Sequence, residues 1–267
     1  MNMNKRAFLK ASGASIAALS VSSAALASAT KMGASNSGTL KDITHNVSAI
    51  TPAEREIRIK KAQKLMQQMN ISALIIEPGA AMDYFSGIQW WRSERLTALI
   101  IPQQGKVGIV CPFFEEQSIQ ESLAINGDIR VWQEHESPFE RIKQILVDRG
   151  IGLSKGKIGF ENSVRYFVQN GTMSLLSNLK HVSAEPVTRG CRIIKSHHEL
   201  QLMHKANEVT LLAYAEVYSK LEVGMTASQV KSLMSNAQST LGGKGGWNMA
   251  LIDQASAFPH GSKKKHI

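Results

Sequence analysis

Several groups of residues in this sequence have types that could do chemistry, and spacing decides between them. His197, His198 and His204 suggest a metal site. A His-Glu-x-x-His pattern would need histidine at position 202, which is Leu202, and His198 and His204 are six apart. Side chains meet on a helix at separations of three or four, so these histidines read as solvent-exposed residues of a capped helix. Gly242, Gly243, Gly245 and Gly246 surround Lys244. A phosphate-binding loop needs Gly-x-x-x-x-Gly-Lys-Ser/Thr between a strand and a helix. Here the cluster follows a helical pattern and no hydroxyl residue follows Lys244. No Gly-x-Ser-x-Gly elbow offers a serine nucleophile. Glu115-Glu116 suits a helix start, where the dipole favours acids. Trp90-Trp91-Arg92 can be core packing, or the aromatic wall of a ligand site or subunit interface. His260, in Phe258-Pro259-His260-Gly261, is a lone histidine with no partner evident in the sequence. Cys111 and Cys191 are the only cysteines and form no Cys-x-x-Cys, so buried thiols are favoured over a redox pair or zinc knuckle.

These residues must be held by elements that the pattern makes legible. Thr51-Pro52-Ala53-Glu54 is a capping box with proline at the first helical position. Ile57, Ala62, Leu65, Met66 and Met69 then form an apolar stripe. Residues 73–76 form a short buried strand. Two apolar runs, 97–101 and 106–110, flank Pro102-Gln103-Gln104-Gly105 as a hairpin. Helices are expected at 114–124, 138–149 and 164–177, and strands at 129–132, 157–160 and 180–183. Alternating elements of this kind make an α/β domain with a mixed sheet. Ser196-His197-His198-Glu199 opens a long helix with Leu200, Met203, Ala206, Val209, Leu212 and Ala213 on one face. Thr226-Ala227-Ser228-Gln229 caps the next, and 247–252 reads as a strand without evident partners.

The 267 residues carry 43% hydrophobic and 19% charged side chains. That excludes a disordered or collagen-like chain, and no apolar run reaches the ~18 residues of a membrane span. The net charge is +10, but Lys5, Arg6, Lys10, Lys263, Lys264 and Lys265 crowd the two ends. The body is only mildly basic, so neither a nucleic-acid partner nor a stable membrane anchor is expected. Lys5-Arg6, a weakly apolar serine-dotted stretch over 11–26, and Ala25-Leu26-Ala27 read as an export signal with a small-x-small cleavage site. It resembles a twin-arginine leader with Lys5 in place of the first arginine. Four segments follow: an export signal at 1–29, a disordered tether at 30–50, an N-terminal domain at 51–191, and a further segment at 192–267.

The order of motifs resembles the pita-bread metallopeptidases, which include Xaa-Pro aminopeptidases, prolidases and creatinase. Met82-Asp83-Tyr84-Phe85-Ser86-Gly87 is similar to the family's Tyr-Leu-Thr-Gly turn. Glu94-Arg95, then Leu99-Ile100-Ile101-Pro102 and Gly105, follow in place. Ile158-Gly159-Phe160-Glu161 resembles an Ile-Gly-x-Glu strand. Arg192-Ile193-Ile194-Lys195-Ser196 with Glu199 resembles the interdomain Arg-x-x-Lys-Ser-x-x-Glu, and Gly224-Met225-Thr226 the next signature. Phe258-Pro259-His260 is similar to the substrate-side histidine motif.

The resemblance implies a creatinase-like N-terminal domain followed by the first part of an α+β pita-bread domain, incomplete at 192–267. It implies an exported, periplasmic peptidase, commonly homodimeric, that acts on peptides with two divalent metals bridging an activated water. The family's five ligands, two Asp, one His and two Glu, lie beyond the position that His260 matches, and the sequence ends at Ile267. On that reading this chain supplies no metal ligand and is inactive by itself. His260 is its one catalytic candidate, and Trp90, Trp91 and Arg92 are substrate or interface candidates. A non-peptidase hydrolase or lyase on the same scaffold, or a non-catalytic binding module, are the alternatives.

The leader reading is tested by intact-mass and N-terminal analysis of protein recovered from cell fractions. The expected mature chain begins just after Ala27 and lies outside the cytoplasm. Recovery with Met1 intact would contradict it.

Overall fold

The computed structural model describes residues 40–244 and 246–262. The leader expected at 1–29, and the tether up to residue 39, lie outside the described residues. The chain divides into two compact units, one of residues 48–201 and one that includes 40–47 and 202–262.

The unit 48–201 opens with helix α1 (Pro52–Met69). Thr51 accepts a hydrogen bond from the Glu54 amide, and the Thr51 amide donates one to the Glu54 carboxylate at 2.8 Å. Asn70, at φ 53°, closes the helix in the left-handed region. Its buried face is Ile59, Ala62 and Met66, while Ile57, expected in the stripe, is exposed. The reason is angular: 59, 62 and 66 repeat at three and four residues, and position 57 points away from them.

Six strands follow in the spatial order β4-β3-β2-β1-β5-β6. They are β1 (Ala73–Ile76), β2 (Ala98–Pro102), β3 (Gly108–Pro112), β4 (Asp128–Trp132), β5 (Lys157–Phe160) and β6 (Lys180–Ser183). The β1–β2 and β2–β3 pairs are antiparallel, and β1–β5, β3–β4 and β5–β6 are parallel. Only β2 therefore runs against the rest. The central strands are buried at every position, which is why they read as unbroken apolar runs.

Alternation along the strands builds two cores. Leu74, Ile76, Leu99, Ile101 and Cys111 face one side, with Ile59, Met66, Phe85, Val187 and Cys191 from the helices there. Ala73, Ile75, Ile100 and Val110 face the other, with Ile142, Ile145 and Val168. The first layer holds α1, α2 (Ala80–Ser86), α3 (Glu116–Ser122) and α6 (Glu185–Arg192). The second holds α4 (Pro138–Asp148) and α5 (Tyr166–Leu175). Each fully buried large aliphatic side chain contributes about 1.5–3 kcal/mol. Gly171 in α5 lets the Phe139 ring approach, since a Cβ there would lie 2.3 Å from a ring carbon. Both cysteines are free and buried, and burial pushes the Cys111 thiol up to about 12 and Cys191 to about 11.

Helix α7 (His197–Lys220) carries the second capping box, from the Ser196 hydroxyl and the Glu199 carboxylate. In the second unit α7 pairs with α8 (Ala227–Thr240) around Val209, Ala213, Val217, Met234, Ala237 and Leu241. Leu200 and Met203, expected on the apolar face of α7, are exposed. Within the stretch expected as a tether, Leu40 and Ile43 pack on this helix pair, and the Ile43 amide donates to the Leu241 carbonyl at 3.2 Å. The strand expected at 247–252 is absent: the backbone there forms no ladder, and a 3-10 turn follows at Asp253–Ala257. A strand needs a neighbour to satisfy its backbone, and the described part of this unit offers none.

His198 departs from the exposed reading, whereas His197 and His204 are exposed. Its Nδ1 lies 2.7 Å from Glu54 Oε1 and its Nε2 lies 3.0 Å from the Ser48 carbonyl. Both neighbours are acceptors, a setting that favours the doubly protonated ring, whose two nitrogens can both donate. Its pKa is raised, chiefly by the Glu54 hydrogen bond. Glu54 is held down at about 2, first by the Thr51 amide and then by His198. Beside this pair, Arg58 meets Glu199 at 2.8 Å, so the first turn of α7 is tied to α1 twice. The raised His198 value gives stability that is full below about pH 6.5 and is lost as pH rises through the folded value. The depressed Glu54 value gives stability that is full above the usual carboxylate range and is lost as pH falls toward 2. The expected outcome is that the advantage in urea midpoint over a His198→Gln variant is largest near pH 5.5 and shrinks by pH 8.5. A pH-independent difference would refute the charged pair.

Candidate functional site at the carboxyl edge of the sheet

Because only β2 is reversed, the ends of β1, β3, β4, β5 and β6 share one edge with the start of β2. In open α/β sheets ligands bind at this carboxyl edge, where neighbouring strands lead off to opposite sides. The chain parts in this way after β1 and β5, and again after β3 and β4 and after β5 and β6.

Glu77 follows β1 and is a fully buried carboxylate. Arg165 Nε and Nη2 donate to its Oε1 at 2.9 and 2.6 Å, and the Arg165 amide donates to Oε2 at 2.7 Å. Arg165 also donates to the Ser93 carbonyl, on the approach to β2. Arg92 Nε donates to the Pro78 carbonyl at 3.0 Å and its guanidinium donates to the Ser163 hydroxyl. Ser163 in turn donates from its amide and hydroxyl to Glu161. The edge thus carries a connected polar set drawn from three loops.

The aromatic residues divide. Trp90 packs on the core, while Trp91 stacks on it at 4.7 Å between ring centroids, with planes 12° apart, and is 69% exposed. Phe113 and Phe114, which follow β3, are exposed, and Arg95 lies over the Phe114 ring at 5.3 Å.

On the outer side of β5 a cleft of about 480 Å³ opens, lined by Tyr84, Glu161, Asn162, Glu185, Arg192 and Lys195 among others. Tyr84 comes from α2, whose end is set by Gly87 at φ +84°, a position where a Cβ would also lie 2.6 Å from Ala124. The Tyr84 hydroxyl donates to the Cys191 carbonyl at 3.1 Å, and Arg58 covers its ring at 4.1 Å. Burial, aided by the nearby Glu199, raises the Tyr84 pKa.

The creatinase/prolidase N-terminal domain model matches residues 58–194, just over half of the chain. The chain belongs to this family. A protein of Schizosaccharomyces pombe described as an uncharacterized peptidase is 28% identical over 220 residues, covering 76% of this chain and 47% of the relative. A probable dipeptidase, PepE, of Mycobacterium tuberculosis is 24% identical over 211 residues, covering 78% and 54%. Among solved structures, dipeptidase PepE of Mycobacterium ulcerans superposes with a TM-score of 0.62 at 24% identity, over 73% of this chain and 51% of that one. A prolidase of Thermococcus sibiricus gives 0.60 at 18%, over 71% and 50%. The chain spans about half the length of the curated relatives it matches, and the structural likeness supports the fold.

Of the residues singled out in the sequence, Trp90, Trp91 and Arg92 fall on the carboxyl edge. His260 is exposed in a turn of the other compact unit. No group of three or more His, Cys, Asp or Glu among the described residues is placed to hold a metal ion. The described residues therefore do not fit the paired-metal centre that the family resemblance implies. Sequence reasoning missed Glu77, Ser163 and Arg165. The one available signal was Glu77 itself, an acid directly after a fully apolar strand.

Proposed function

We propose that this chain supplies the N-terminal scaffold of an exported, metal-dependent aminopeptidase or dipeptidase acting on Xaa-Pro peptides, and that it has no turnover by itself. The observation that carries the reading is the family match over 58–194, within which Arg92 and Trp91 lie on the edge where such sheets bind ligands. In this role Arg92, fixed by the Pro78 carbonyl and Ser163, presents positive charge. The exposed Trp91 face offers an apolar contact to peptide or to the second copy of a homodimer. His260 acts on the substrate side, as a hydrogen-bonding and proton-handling group worth about 10²–10⁴-fold.

A binding module is the second reading, favoured by the self-contained double core of residues 48–201.

The test is peptidase activity and metal stoichiometry, with Xaa-Pro dipeptides and tripeptides and added Mn²⁺, Co²⁺ or Zn²⁺. The 267-residue chain is expected to bind metal substoichiometrically and to turn over nothing. Co-expression with the C-terminal half of a mycobacterial PepE relative is expected to give turnover. There, His260→Ala lowers kcat more than metal content. Two tightly bound metals and robust turnover by the chain alone would show that the catalytic groups lie elsewhere.

A further inference from the structure

The cleft beside β5 and β6 is lined by three acids and three bases, so its use depends on which charges are already engaged. Glu185 accepts from Asn162 at 2.9 Å and meets Arg189 at 3.6 Å. Glu199 meets Arg58 at 2.8 Å and accepts the Ser196 amide at 2.7 Å. Glu161 accepts both hydrogen bonds of Ser163, whose hydroxyl Arg92 holds in turn. All three carboxylates are thus occupied within the protein.

Two of the cations are not. Among the described residues, Arg192 approaches the Tyr84 ring face-on at 5.9 Å and meets no carboxylate. Among the described residues, Lys195 reaches only the Ile193 carbonyl, at 3.3 Å. Both line the cleft, together with the Tyr84 ring and the exposed Ile193. The negative end of α6 accounts for basic residues at its last turn. It does not account for a cleft in which every acid has a partner and two bases have none.

We propose that this cleft binds a carboxylate monoanion, held by Arg192 and Lys195, with the ligand's apolar part against Tyr84 and Ile193. Arginine recognises a carboxylate through paired donors, and the lysine adds a point charge. The class follows from the charge balance. Two free cations beside the Glu161 carboxylate leave a residual charge near +1, which one carboxylate balances and a phosphate dianion overshoots. The ligand is a free small carboxylate or the C-terminus of a short peptide. The site lies within residues 84–199 and needs no metal. It stands apart from the peptidase reading, and binding can succeed or fail whatever the turnover assay gives.

The experiment is titration of the full chain, by calorimetry or by NMR shifts, with N-acetylglycyl-proline, its C-terminal amide, sodium acetate and inorganic phosphate. The free acid is expected to bind at least tenfold more tightly than the amide. Acetate that displaces it fully identifies the small-carboxylate source. Acetate that leaves it bound identifies the peptide C-terminus, and both outcomes support the site. Arg192→Gln with Lys195→Gln is expected to weaken binding at least tenfold, while Lys64→Gln on α1 leaves it unchanged. The acid–amide comparison uses the unsubstituted chain, so it decides the matter even if the double variant fails to fold. Equal binding of acid and amide, phosphate binding as tight as the acid, or a folded double variant with unchanged affinity would each overturn the proposal.

Discussion

The buried carboxylate of Glu77 is the constraint on which the candidate site depends. A charge removed from water is tolerated only when it is paired and its lone pairs are met. Arg165 meets this need with its amide and two guanidinium nitrogens, and spends a further donor on the Ser93 carbonyl. One ion pair thus joins the exit of β1, the approach to β2 and the start of α5. Arg92 adds a second tie, from the Pro78 carbonyl to Ser163. The loops of the carboxyl edge are held as one piece because Glu77 has nowhere else to find partners.

That rigidity gives the edge its chemical character. The polar set at the β1–β5 junction is self-satisfied except where Arg92 and the Trp91 face reach solvent. On the far side of β5, the engaged acids of the cleft leave Arg192 and Lys195 as uncommitted charge. The edge therefore carries two candidate recognition surfaces, the Trp91–Arg92 face and the cleft at Arg192 and Lys195.

Much of this was legible in the sequence where local physics decides. The capping boxes at Thr51, Ser196 and Thr226 all form, because their partners lie three residues away. Strands β1, β2 and β3 were readable as short apolar runs between turn residues, and β4, β5 and β6 as short stretches between helical patterns. Helix α2 was not, since Gly79 gives it no side-chain cap, and the eight residues of α6 are too few to show a period. The apolar run at 247–252 resembles a strand, but pairing is a tertiary fact, and the expectation failed for want of a neighbour. Glu77 and Arg165 stand 88 residues apart. No spacing rule connects them, and only the adjacency of β1 and β5 brings them together. His198 was misread for the same reason, its partner on α1 being 144 residues away.

The most direct measurement is a double-mutant cycle on Glu77 and Arg165, by urea unfolding of the 267-residue chain followed through tryptophan fluorescence. Arg165→Met alone strands a buried carboxylate and is expected to cost about 3–5 kcal/mol. Adding Glu77→Gln removes that charge, so the double variant is expected to lose less than the sum of the two single losses by about 1.5 kcal/mol or more. Losses that add within about 0.5 kcal/mol would mean that the two side chains act independently, and the carboxyl edge would not be organised by Glu77.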